Sequence, residues 1–176
     1  MNQPTFREFL RYADTLHARA STAPNQNGAM PYLIGSILTS WIALETFVNN
    51  MARDYVALPK GKCSVHEEAF LLEKQVIFNK SGRNAGRFSI GKNPEFKRID
   101  EKMLFLVAKF GSGSAEKGGQ LWQKFERAKE RRNALIHYRR DSETTLTAED
   151  AKETMETVKE TIEFLSKAVW GKAMRW

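Results

Sequence analysis

The chain is poor in the residues that build metal sites and disulfides. Its one cysteine, Cys63, excludes an internal disulfide and makes an intracellular, cytoplasmic location the expectation. Its three histidines, His17, His66 and His137, include no pair three or four residues apart of the kind that shares a zinc ion. Cys63-Ser64-Val65-His66 has a two-ligand gap, but no second pair accompanies it. The Glu-x-x-His pairs of di-iron bundles are missing, so no metal or cofactor is expected. No apolar run approaches the roughly 18 residues that cross a bilayer, and Met1–Thr5 lacks a basic-then-apolar signal pattern, so no membrane partner is expected. Only five prolines interrupt the 176 residues, which leaves room for long helices.

What is abundant is positive charge. The net charge is +7, with 41% hydrophobic and 28% charged residues, the profile of one globular domain over 1–176. Residues 1–59 sum to zero, 60–110 carry +5, 121–140 carry +5 and the last 36 carry −3. Two basic blocks suggest an anionic partner such as nucleic acid, or else a solvated lysine-rich surface.

Apolar spacing predicts core helices at about 5–20, 31–57, 116–138 and 148–170. The first is capped by Thr5 and carries Phe6, Phe9, Leu10, Ala13, Leu16 and Ala20. Thr22–Gly28 reads as a turn, with Pro31 in the first turn of the second helix. That helix bears the stripe Ile34, Ile37, Trp41, Leu44, Val48, Ala52 and Tyr55. The last has Ala148, Ala151, Met155, Val158, Ile162, Leu165 and Val169 three and four apart, Thr147 and Asp150 as a capping box, and Gly171 as its stop. Residues 60–114 read as an irregular or helical insertion. Val65–Ile77 and Glu95–Phe110 look helical there, and Gln75–Phe78 with Arg87–Ile90 form a possible hairpin. The fold class is an all-α bundle of four to five core helices.

The most informative segment is Arg131-Arg132-Asn133-Ala134-Leu135-Ile136-His137-Tyr138. An arginine and a histidine on a basic surface can stabilise charge and move protons at a phosphodiester without a metal. On a helix Asn133 and His137 share a face, while Arg132 lies about 140° from His137 and must reach round. The competing reading is an arginine paired to a carboxylate and a histidine capping the last carbonyls. Arg11 and His17, separated by a similar gap, show how easily the bare spacing arises, and His17 reads as a packed or capping residue. Glu45 lies about 40° from Trp41 on the second helix's apolar face, so it needs a cationic or hydrogen-bonding partner, and Arg132 is the natural guess. Gly-rich 82–91 lacks the Gly-Lys-Ser/Thr ending of a Walker loop. It is either a mobile surface loop or a segment whose Arg83, Arg87, Lys92 and Phe88 contact a nucleic-acid backbone and stack on a base.

Arg132-Asn133-x-x-x-His137 near the end of the penultimate core helix resembles the HEPN family, small all-helical proteins that include many metal-independent RNases. Ala43-Leu44-Glu45 is similar to that family's acidic position on an earlier helix, and Thr147–Val169 to its last helix. The resemblance covers roughly 1–58 and 116–170 and does not explain the insertion. In one toxin subgroup a tyrosine lies two residues beyond the histidine, where this chain has Arg139. The resemblance implies a homodimer whose motifs face a shared groove lined by Arg127, Lys129, Arg131, Arg139 and Arg140. It implies a metal-independent endoribonuclease in a toxin or antiviral defence role, with RNA as substrate, His137 moving the proton, Arg132 neutralising charge, Asn133 orienting and Glu45 fixing Arg132. A cognate antitoxin or defence-system partner is a further expectation. The alternative is a non-catalytic helical module that binds nucleic acid or a partner protein through the same groove.

Overall fold

The computed structural model describes residues 4–58, 62–111, 118–137, 146–174 and 176. In chain order these form α1 (Phe6–Ser21), α2 (Gln26–Val56), α3 (Val65–Leu71), β1 (Lys74–Phe78), β2 (Phe88–Pro94), α4 (Ile99–Phe110), α5 (Gln120–Ile136) and α6 (Ala148–Trp170). The fold is the expected all-α bundle, with one two-stranded antiparallel hairpin inserted.

Local chemistry sets the helix boundaries. Thr5 and Glu8 form a capping box on α1, and Thr147 and Asp150 form another on α6. Gly171 closes α6 in the left-handed conformation at φ 65°, which only a residue without a side chain adopts freely. α2 begins five residues earlier than Pro31 suggested. The Asn25 side chain accepts from the Gly28 N–H at 2.8 Å, which nucleates the helix inside the expected turn. Pro31 then sits in the second turn. The carbonyl it cannot serve belongs to Asn27, an exposed residue whose carbonyl can turn to water.

Within the insertion two expectations change. Val65–Ile77 is not one helix: α3 stops at Leu71, Glu73 turns the chain at φ 54°, and Val76, Ile77 and Phe78 go into β1. β-branched and aromatic side chains suit a pleated strand better than a longer helix. The hairpin itself is present, pairing Val76 with Ile90 and Phe78 with Phe88, with an irregularity between Lys74 and Val76. α4 begins at Ile99 rather than Glu95, after an extended approach from Pro94. α5 runs from Gln120 to Ile136, shorter than 116–138 at both ends, and Tyr138 lies outside the described residues.

The main core gathers Leu44, Phe47, Val48 and Met51 of α2 with Leu106 and Val107 of α4, Phe125 of α5, and Val158, Ile162 and Leu165 of α6. α4 is thus a fifth core helix rather than part of a peripheral insertion. Among the described residues only α2 is long and apolar enough to cross a membrane, and half of its most apolar stretch is buried in the bundle. Phe47 packs edge-on against Phe6 of α1 at 5.1 Å and Trp170 of α6 at 5.5 Å, joining three helices. Phe47→Ala is therefore expected to lower the unfolding free energy by about 3–5 kcal/mol, read by chemical denaturation. A loss below about 1 kcal/mol would contradict this packing.

Candidate active site

α5 is a charged helix resting on an apolar bundle, with only Phe125 and Ala128 buried. It carries five cations, and each meets a carboxylate. Lys124 pairs with Glu160 and Arg127 with Glu153. Lys129 contacts Asp100 at 3.3 Å and Glu126 at 2.7 Å, and lies over the Phe125 ring. Arg131 reaches α6, to Asp150 at 3.0 Å and Glu153 at 2.5 Å. Arg132 turns the other way, to Glu45 of α2 at 3.5 Å.

The expected Glu45–Arg132 contact is therefore present, and it belongs to a wider arrangement. Glu45 Oε1 also accepts the Trp41 indole N–H at 3.0 Å, while Arg132 donates to Asn133 Oδ1 at 3.1 Å. Arg132, Asn133, Glu45 and Lys129 line one cavity of about 330 Å³ between α2, α5 and the start of α4. His137 stands outside its wall. It caps α5, its backbone N–H donating to the Asn133 carbonyl at 2.9 Å, and its side chain is exposed. The imidazole is thus neither sealed in the interior nor in the cavity, but one helical turn beyond Asn133.

The other candidates are placed apart. Arg83 and Arg87 lie at the far end of the hairpin, exposed, and Arg139 and Arg140 lie outside the described residues. His17 Nε2 is 3.1 Å from the Ala148 carbonyl, which agrees with a packing histidine, and His66 stacks edge-on against Phe88. Among the described residues no three His, Cys, Asp or Glu side chains gather closely enough to hold a metal ion.

Sequence reasoning missed half of the cavity. Lys102 of α4 is only 2% exposed and its ammonium is held by Asn49 Oδ1 at 2.7 Å and Glu73 Oε1 at 2.8 Å. Asp100 receives two bonds from Arg98, 3.2 Å from Nε and 2.7 Å from Nη2, and lines the cavity with Lys97, Arg98 and Phe96. Two signals were present. Trp41, Glu45 and Asn49 recur every four residues and so form a column on α2. Lys102 adjoins Met103 and precedes Leu106 by four, which puts a lysine on the apolar stripe of α4.

Burial raises the Asp100 carboxyl, but the Arg98 hydrogen bonds and the Lys129 charge outweigh it, and the net direction is down. The Arg131 hydrogen bond holds Glu153 low, and the Thr147 hydroxyl does the same for Asp150. A carboxyl whose folded pKa lies below its unfolded value stabilises the fold above the ordinary carboxylate range, about pH 4, and loses that contribution as pH falls through the lowered value. Thermal unfolding should therefore show the melting temperature dropping as the pH falls below about 5. The Asp150→Asn, Glu153→Gln variant should melt lower at neutral pH and drop less on acidification. Equal drops in both proteins would contradict the assignment.

Compared with family models, curated proteins and solved structures, the chain has no match in any of the three.

Proposed function

We propose that the chain is a metal-independent endoribonuclease, acting as a homodimer in a toxin or antiviral defence role. The supporting observation is that Glu45 holds the Arg132 guanidinium, with the Asn133 amide bonded to it, at the wall of a cavity of about 330 Å³. An arginine so held offers fixed donors for the non-bridging oxygens of a phosphodiester, where charge grows as the reaction proceeds. The HEPN resemblance of Arg132, Asn133 and His137 supplies the reaction type.

The RNA 2′-hydroxyl attacks the adjacent phosphorus, and the bond from phosphorus to the 5′-oxygen breaks. The products are a 2′,3′-cyclic phosphate and a 5′-hydroxyl. One imidazole accepts the 2′-hydroxyl proton and another protonates the departing 5′-oxygen, roles that the His137 side chains of two subunits divide between them. Exposure at the end of α5 leaves His137 accessible to a strand lying across the cavity mouth.

Two observations favour a second reading, a non-catalytic module that binds nucleic acid or a partner protein. His137 does not line the cavity, and every cation on α5 is already matched by a carboxylate.

The purified protein should cut single-stranded RNA in the presence of EDTA, leave 2′,3′-cyclic phosphate ends and spare DNA. His137→Ala should reduce the rate by at least about 100-fold with the melting temperature unchanged. Expression of His137→Ala should also lack any toxicity that expression of the intact chain shows. Cutting that survives in His137→Ala, or disappears with EDTA, would overturn the proposal. RNA bound but left intact would favour the module.

A further inference from the structure

The basic charge of α5 is internally compensated, so a polyanion must find its free positive charge elsewhere. The hairpin supplies it. Between residues 74 and 94 lie Lys74, Lys80, Arg83, Arg87 and Lys92, and no aspartate or glutamate. None of the ion pairs found among the described residues involves any of these five, and the last four are exposed.

Aromatic side chains go with the charge. Of eleven phenylalanines, three are exposed, and all three belong to the hairpin or its exit: Phe78 at 50%, Phe88 at 51% and Phe96 at 83%. Phe78 and Phe88 face each other across the two strands with ring centroids 5.4 Å apart, and Phe88 leans on the His66 ring. The same parity places Val76 and Ile90 on this face, so the rings project from a supported surface. Cations beside exposed rings on a short sheet are the combination that binds single strands: phosphates meet the charges and bases stack on the rings.

The arm is rooted at the cavity. Glu73, immediately before β1, and Phe96, Lys97 and Arg98, just after β2, all line it, and the two stems are tied by the Glu95 N–H donating to the Glu73 carbonyl at 2.8 Å. We propose that the β1–β2 hairpin is a single-stranded RNA-binding arm. Phe78 and Phe88 stack bases, Lys80, Arg83, Arg87 and Lys92 hold phosphates, and the arm leads the strand to the cavity at its root. The last step rests on the nuclease reading, whereas the binding itself does not.

Binding is measured by fluorescence anisotropy with a labelled, uncleavable 2′-O-methyl RNA of about 12 nucleotides. The variant Lys80→Gln, Arg83→Gln, Arg87→Gln, Lys92→Gln should weaken binding at least tenfold. It should also flatten the slope of log affinity against log salt by about 3, near 0.7 for each phosphate no longer neutralised. Phe78→Leu with Phe88→Leu should weaken binding about tenfold and leave the slope unchanged. Lys159→Gln with Lys167→Gln, two cations on α6, should bind like the unaltered chain. Circular dichroism confirms that each variant is folded. Unchanged affinity in folded hairpin variants, or binding to anionic phosphatidylserine vesicles with none to RNA, would overturn the proposal. Cleavage by unaltered protein together with full binding by the hairpin variants would sink the arm and spare the nuclease. Weakened binding in those variants with cutting retained in His137→Ala would do the reverse.

Discussion

α5 must satisfy five positive charges while lying on an apolar bundle, and its position follows from how it does so. Two buried side chains, Phe125 and Ala128, give it little hydrophobic hold. Lys129, Arg131 and Arg132 instead anchor it to α4, α6 and α2 respectively. Because neighbouring residues on a helix point about 100° apart, Arg131 and Arg132 reach opposite partners, and together they fix the helix's rotation about its axis. That rotation turns Asn133 toward the cavity and sets where His137 emerges.

The Glu45–Arg132 contact is more a positioning device than a source of stability. With Glu45 39% and Arg132 27% exposed, a pair at 3.5 Å belongs to the class worth about 0–1 kcal/mol. Its consequence is geometric: the guanidinium is held between Glu45 and Asn133 at the wall of the cavity. The buried Lys102 shows the complementary case. Its ammonium would be destabilising inside the bundle without Asn49 and Glu73. Glu73 occupies a left-handed conformation that is unfavourable for a residue with a side chain by about 1–2 kcal/mol. The same turn brings its carboxylate to Lys102 and launches the hairpin.

Much of this was legible from sequence where the signal is local. The caps on α1 and α6, the glycine that ends α6, and the Phe78–Phe88 hairpin are written in adjacent residues. Even the Glu45–Arg132 pairing could be anticipated, because a carboxylate on an apolar face demands a cationic or hydrogen-bonding partner. Local signals also competed: the Asn25 cap overrode the proline at 31, and strand-favouring side chains overrode helical spacing after Leu71. What spacing could not reveal was which charges cancel. The block at 121–140 looked like an open basic belt, yet its described members meet acids from α2, α4, α5 and α6, some of them in the acidic last segment of the chain. Lys102 and Asn49 escaped for the same reason, since their partnership spans 53 residues.

The proposal that Glu45 acts on a substrate phosphate only through Arg132 is tested most directly by a double-mutant cycle on RNA cleavage. The expected result is that Glu45→Gln slows cleavage at least about tenfold in the intact chain but adds nothing once Arg132 is alanine. Equal losses from Glu45→Gln with and without the arginine would mean that the two side chains work independently, and the Glu45–Arg132–Asn133 arrangement would not be the site of the chemistry.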